Sequence, residues 1–186
     1  MSAILRTLAL ALLFSLPSCA QKERDCNCED VDAGKPVDVA LVSFLSRARA
    51  AHHTADAHES AGDRRAAVNV LETLLRGPLP QAARAAEVRE VLADTHARVG
   101  QLKSELEDFA GAEANVAQGL ALVSEPSYFR GHLFEVRGLV AERHGKALQK
   151  VGDQAGAARE KSRALEAFEE AMRIQALVIE RTTQGR

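Results

Sequence analysis

Three cysteines and six histidines are the residues best equipped for chemistry in this chain. Cys26 and Cys28 stand in Asp25-Cys26-Asn27-Cys28-Glu29. A structural zinc site wants four ligands, and no second Cys or His pair follows at zinc-finger spacing. The two thiols could close a strained local disulfide, bridge two chains or hold a soft ion such as Cu(I). His52, His53 and His58 fall in one helical stretch, but none has a histidine one turn away, as a two-ligand site would need. His52 lies on an apolar stripe, where a hydrogen-bonded core histidine is expected. His96, His132 and His144 are isolated in sequence. Carboxylates gather at Glu105, Glu107 and Asp108 and at Glu169 and Glu170, as solvated helix faces tend to do. There is no phosphate-cradling glycine loop, no nucleophile elbow and no Cys–His pair with a supporting acid. The expectation is a protein without catalysis, metal or cofactor.

Composition narrows the fold. Hydrophobic residues make up 46% of the chain, but aromatics only 4%, and tryptophan is absent. Alanine supplies much of the apolar count, which favours helices that approach closely. No stretch alternates apolar and polar residues as a half-buried strand would, so the reading is all-α. A net charge of −2, with basic and acidic residues interleaved, argues against a nucleic-acid partner.

The N-terminus reads as an address. Thr7–Leu16 is an apolar run, too short for the about 20 residues that span a bilayer. It matches the apolar region of a signal peptide, giving a leader over residues 1–18. Leu16-Pro17-Ser18-Cys19 then resembles the lipobox of bacterial lipoproteins, with Pro17 departing from the usual small residue. The resemblance implies cleavage before Cys19, a diacylglyceryl thioether on its sulfur and a fatty acid such as palmitate on its new amine. Ala20 rather than Asp after the cysteine points to the outer membrane, facing the periplasm. Ser18 and Ala20 also permit ordinary secretion to the periplasm, with a cut after Ala20. An exported chain favours a disulfide at Cys26 and Cys28. Residues 19–36 are polar and read as a flexible, disordered tether.

From residue 37 to about 183 the periodicity is helical. Asp38 can cap a helix whose stripe is Leu41, Leu45, Ala48, His52 and Ala55. Asp63 starts a second, with Ala67, Val70, Leu71 and Leu74 inward. Gly77-Pro78-Leu79-Pro80 stops it. A heptad stripe through Val88, Leu92, Thr95, Val99, Leu102 and Leu106 runs on through Phe109, Val116 and Leu120. Periodicity alone allows one coiled-coil helix over 81–123, but the internal repeat places a turn near Glu107-Asp108. Gly131, Gly138, Gly145 and Gly152 recur at heptad spacing on the next helix, as a lane for close packing or as incidental glycines. The last helix carries two lanes. One is Leu165, Phe168, Met172, Ala176 and Ile179; the other is Ala164, Ala167, Ala171, Ile174 and Val178. Two lanes predict a helix packed on two sides.

The repeat lies in Gly62-Asp63, Glu107-Asp108 and Gly152-Asp153, each followed by alanine and larger apolar residues. Ala55, Gly100 and Gly145 precede them at the helix crossings. These segments resemble tetratricopeptide repeats over about residues 38–182, with longer spacing and with Ala51, His96 and Ala141 in place of the family's bulky anchor. The resemblance implies about three stacked antiparallel helical hairpins. It also implies a groove lined by the first helices, near residues 38–61, 81–106 and 127–151. Arg49, Arg89, Arg98, Arg137 and Arg143 are the groove candidates, because a guanidinium grips carboxylates with two hydrogen bonds. The expected function is a protein- or peptide-binding adaptor at the envelope, in envelope or secretion-apparatus assembly, with a partner of unknown identity. The alternative is a helical-bundle sensor for a small ligand or metal.

Overall fold

A computed structural model describes residues 37–81 and 85–184, all within the second of two units, Val37–Arg186. The expected leader, lipid-attachment Cys19, Cys26, Cys28 and the tether lie outside the described residues. Six helices make up what is described: α1 (Val39–Ser60), α2 (Arg64–Arg76), α3 (Ala86–Glu105), α4 (Phe109–Leu122), α5 (Tyr128–Lys150) and α6 (Gln154–Gln184). They form three hairpins, α1–α2, α3–α4 and α5–α6, stacked in chain order.

Local chemistry sets the breaks. Within each hairpin a left-handed residue ends the first helix: Gly62 at φ 80°, Glu107 at φ 62° and Gly152 at φ 86°. The next residue is always aspartate, and Asp63, Asp108 and Asp153 are evenly spaced along the chain. Each donates its backbone N–H back to the ending helix, to His58, Lys103 and Leu148 respectively. Each side chain accepts from the N–H three residues on, in Ala66, Gly111 and Gly156, at 2.8–3.0 Å. Such a cap contributes about 1 kcal/mol, and the reversed chain satisfies the orphan carbonyls of the first helix. Asp38 caps α1 in the same way and Ser127 caps α5. The turn at Glu107 therefore divides the 81–123 stripe into α3 and α4. Glutamate holds there a conformation that its neighbours assign to glycine.

The core is shared between hairpins rather than closed within them. Ala55, Ala67, Leu71, Val99 and Leu102 join α1, α2 and α3 in one cluster. Ala97, Ala112, Val116, Leu133, Val136 and Val140 join α3, α4 and α5 in another. The first helix of each new hairpin thus lies in the groove of the one before it. Where paired helices cross, small residues are required. A Cβ on Gly100 would stand 3.0 Å from Val116 and 3.2 Å from the Ala112 carbonyl. Gly131, Gly138 and Gly145 do form a lane, facing Gln175, Phe168 and Ala157 of α6; Gly152 belongs to the turn instead. Val151 is 79% exposed beside that turn.

The last helix departs from expectation. Ala164, Ala167, Ala171 and Ile174 are buried, while Leu165, Met172 and Ile179 are more than half exposed. Among the described residues the backbone of α6 packs on α5 alone; in its second lane Phe168 turns in against Gly138, and Leu165, Met172 and Ile179 are left exposed.

Candidate functional site

Two of the candidate arginines stitch the stack together. Arg98 of α3 reaches back to α1 and binds the carboxylates of Asp56 and Glu59. Arg143 of α5 reaches back to α3, donating to Ser104 Oγ at 2.9 Å and Glu105 Oε1 at 3.2 Å. Arg64 binds the same Glu105 at 2.8 Å. Arg98 and Arg143 precede Gly100 and Gly145 by the same interval, so they are one repeat position used twice. Burial opposes the Arg98 charge, but Glu59 and Asp56 more than offset it and hold the guanidinium above its usual pKa. Their acceptors are this chain's own acids, so neither arginine presents an empty fork.

The other three stand elsewhere. Arg49 is exposed on α1 and Arg89 is exposed on α3. Arg137 points into a cleft of about 320 Å³ between α5 and α6, with Phe134, Arg163 and Glu166. Its guanidinium lies 5.6 Å from the Phe134 ring centroid. Its buried Nε has no hydrogen-bond partner among the described residues. Arg163, opposite, is already bound by Glu113 and Glu160. Arg137 and Arg143 therefore face different sides of α5, and the five arginines do not line one surface.

His52 sits in the α1–α3 junction as a hydrogen-bonded, half-buried side chain. The Thr95 hydroxyl donates to the Val91 carbonyl at 2.7 Å, so Thr95 accepts from His52 Nε2 at 3.0 Å. That tautomer leaves Nδ1 as an acceptor 3.4 Å from Arg98 Nη1. His96 mirrors it at the α3–α4 junction. Asn115 donates its amide to Gly111 and accepts from His96 Nδ1 at 3.2 Å. Burial pushes both histidines below the ordinary 6.5, with Asp94 opposing it at His52, where Arg98 adds to the fall, and the Asn115 bond opposing it at His96. Asp56 and His53 also face His52 from its own helix, and Lys103 faces His96.

A pH dependence follows. Below pH 6.5 the unfolded chain takes up protons that the folded chain refuses, so stability falls with pH until the folded pKa values are passed. Above 6.5 these groups contribute their stability in full. Urea unfolding at about pH 7.5 and about pH 5.5 should show the lower stability at acid pH, and the His52→Gln/His96→Gln chain should lose most of that difference. An unchanged pH slope in the double variant would contradict this assignment.

Among the described residues no three His, Cys, Asp or Glu side chains gather as a metal site would require, and no helix is long and apolar enough to cross a membrane.

The remaining feature is the open end of the stack. Gly145, Lys146, Ala157, Lys161, Leu165 and Phe168 line a cleft of about 380 Å³ between α5 and α6. Leu165 occupies the repeat position of Leu75 and Leu120. Those two are partly buried against the cores that the next hairpin completes; Leu165 is 54% exposed. Met172 and Ile179 continue the lane at 65% and 63%. No protein-family model, curated protein or solved structure matches this chain. The site rests on its own geometry. Sequence periodicity found the lane but read it as buried, because an apolar stripe carries no mark of whether a partner covers it.

Proposed function

We propose that this chain is a non-catalytic protein-binding scaffold, held at the bacterial envelope through lipid on Cys19, with the open α5–α6 end as its binding surface. The observation that carries the reading is the exposed lane of Leu165, Met172 and Ile179. An array of stacked helix pairs normally ends on a polar face, and an uncovered apolar lane beside a cleft marks an interaction site. The clefts described above are open to solvent, which suits a peptide or helix better than an enclosed small ligand. The lipobox-like Leu16-Pro17-Ser18-Cys19 supports the anchor, and acyl chains with about 0.8 kcal/mol per buried methylene supply the membrane affinity. A role in envelope or secretion-apparatus assembly fits such a placement.

Cross-linking in intact envelopes tests the reading. The wild-type chain should give a discrete cross-linked partner. The Leu165→Asp/Met172→Asp chain should lose it while keeping its circular dichroism and melting temperature, since both side chains already meet water. In the same preparation Cys19→Ser should leave the membrane fraction. A partner retained by the lane variant would end the proposal for this surface.

A further inference from the structure

The repeat lets the open groove be compared position by position with the two that are filled. In the first hairpin, Asp56 and Glu59 near the end of α1 receive Arg98 of the incoming α3. In the second, Ser104 and Glu105 near the end of α3 receive Arg143 of the incoming α5. Counting back from Asp153 as from Asp63 and Asp108, the positions of Asp56, Glu59 and Ser60 become Gln101, Ser104 and Glu105 in α3 and Lys146, Gln149 and Lys150 in α5. Of the receiving acids, Asp56 and Glu105 have lysines at their α5 positions, Lys146 and Lys150, and Glu59 has the uncharged Gln149. On the second helix, Leu71 and Val116 are fully buried beneath the incoming helix. Lys161 stands at their position and lines the cleft. The apolar floor persists in Leu165 and Phe168. The open groove therefore keeps part of the apolar floor of the filled ones and lines it with Lys146 and Lys161 against one acid, Glu142, so its charge is positive where theirs is negative.

We propose that this groove takes one amphipathic helix from another protein, running parallel to α5 and carrying an acidic residue where α3 and α5 carry Arg98 and Arg143. The inference rests on the scaffold reading and adds the chemistry of the partner. A helix laid this way also brings its C-terminal carbonyls, the negative end of its dipole, toward Lys146 and Lys150. A second copy of this chain fits poorly. At the matching position its own first helices offer His53, Arg98 or Arg143, none of them acidic, and a guanidinium set against these lysines is repelled. Lys146 is held by Glu142 within α5 through a pair open to solvent, which is weak and exchangeable.

The probe is a stapled peptide of the α5 sequence, residues 127–151, a helix already shaped to lie in such a groove. It is made with Arg143 and with Arg143→Glu, and binding to the intact chain is followed by fluorescence anisotropy. The Glu peptide should bind at least about tenfold more tightly than the Arg peptide, as charge complementarity at an apolar groove allows. Lys146→Glu/Lys161→Glu in the protein should reverse that order, and Leu165→Asp should weaken both. All three positions are exposed, so circular dichroism and melting should stay as in the wild type. Equal affinities, a preference for arginine, an order unmoved by the lysine reversals, or no binding of either peptide would overturn the proposal. So would a concentration-dependent dimer that Leu165→Asp dissolves, which would give the groove to a second copy. If the charge preference fails while the envelope cross-link still depends on Leu165 and Met172, only this inference falls. If the cross-link ignores them, the scaffold reading falls with it.

Discussion

Leu133→Ala should lower the unfolding free energy by about 2–5 kcal/mol, the range for emptying a closed core site. Leu133 has no exposed surface and fills the space between α3, α4 and α5. Its fit depends on Gly119: a Cβ there would lie 2.6 Å from Leu133 Cδ2. The two positions should couple. Gly119→Ala alone forces Leu133 aside, whereas in the Leu133→Ala background the added methyl occupies part of the cavity. The double variant should be less destabilised than the two single losses together, by about 0.5–3 kcal/mol in a double-mutant cycle. Urea titration reads all four corners. Strict additivity would mean that α4 and α5 do not meet at this contact. Leu106, exposed on the α3–α4 turn, supplies the control, and Leu106→Ala should stay within about 0.5 kcal/mol of the wild type.

Ala112→Leu should cost about 1–3 kcal/mol through overpacking. Ala112 is fully buried, and its own carbonyl lies against Gly100, where α3 and α4 cross. An isobutyl group has no room to enter without parting the two helices. At roughly 2–4 °C per kcal/mol for a domain of this size, the loss is visible in a thermal melt. Ala121→Leu, on the exposed side of the same helix, should leave the melt unchanged. Ala164, at the repeat position of Gly119, is buried too, but it borders the open cleft. A larger side chain there can lean into solvent, so the same exchange at Ala164 should cost less. Equal penalties at the two alanines would argue that the α5–α6 end is closed.

The sequence determined the helices, their ends and the pairing within hairpins, because these depend on contacts only a few residues apart. Gly-Asp at Gly62 and Gly152 announces a left-handed turn and a cap. Glu107-Asp108 keeps the aspartate, which was enough to break a stripe that periodicity alone would have continued. Small residues at Ala55, Gly100 and Gly145 announced where helices cross. The sequence also showed two apolar lanes on α6. Only the tertiary structure decided that Leu165, Met172 and Ile179 of one lane stay exposed among the described residues, since exposure is a property of what lies alongside a face and not of the face. The arginines show the same division. Their number and helical placement were legible, but whether a guanidinium is open to a ligand depends on acids brought near by folding. Asp56 and Glu59 take Arg98, and Glu105 takes Arg143, from tens of residues away along the chain. The repeat fixed where each charge stands along its helix; the stacking of hairpins fixed which charges already have partners and left Lys146 and Lys161 beside an uncovered groove.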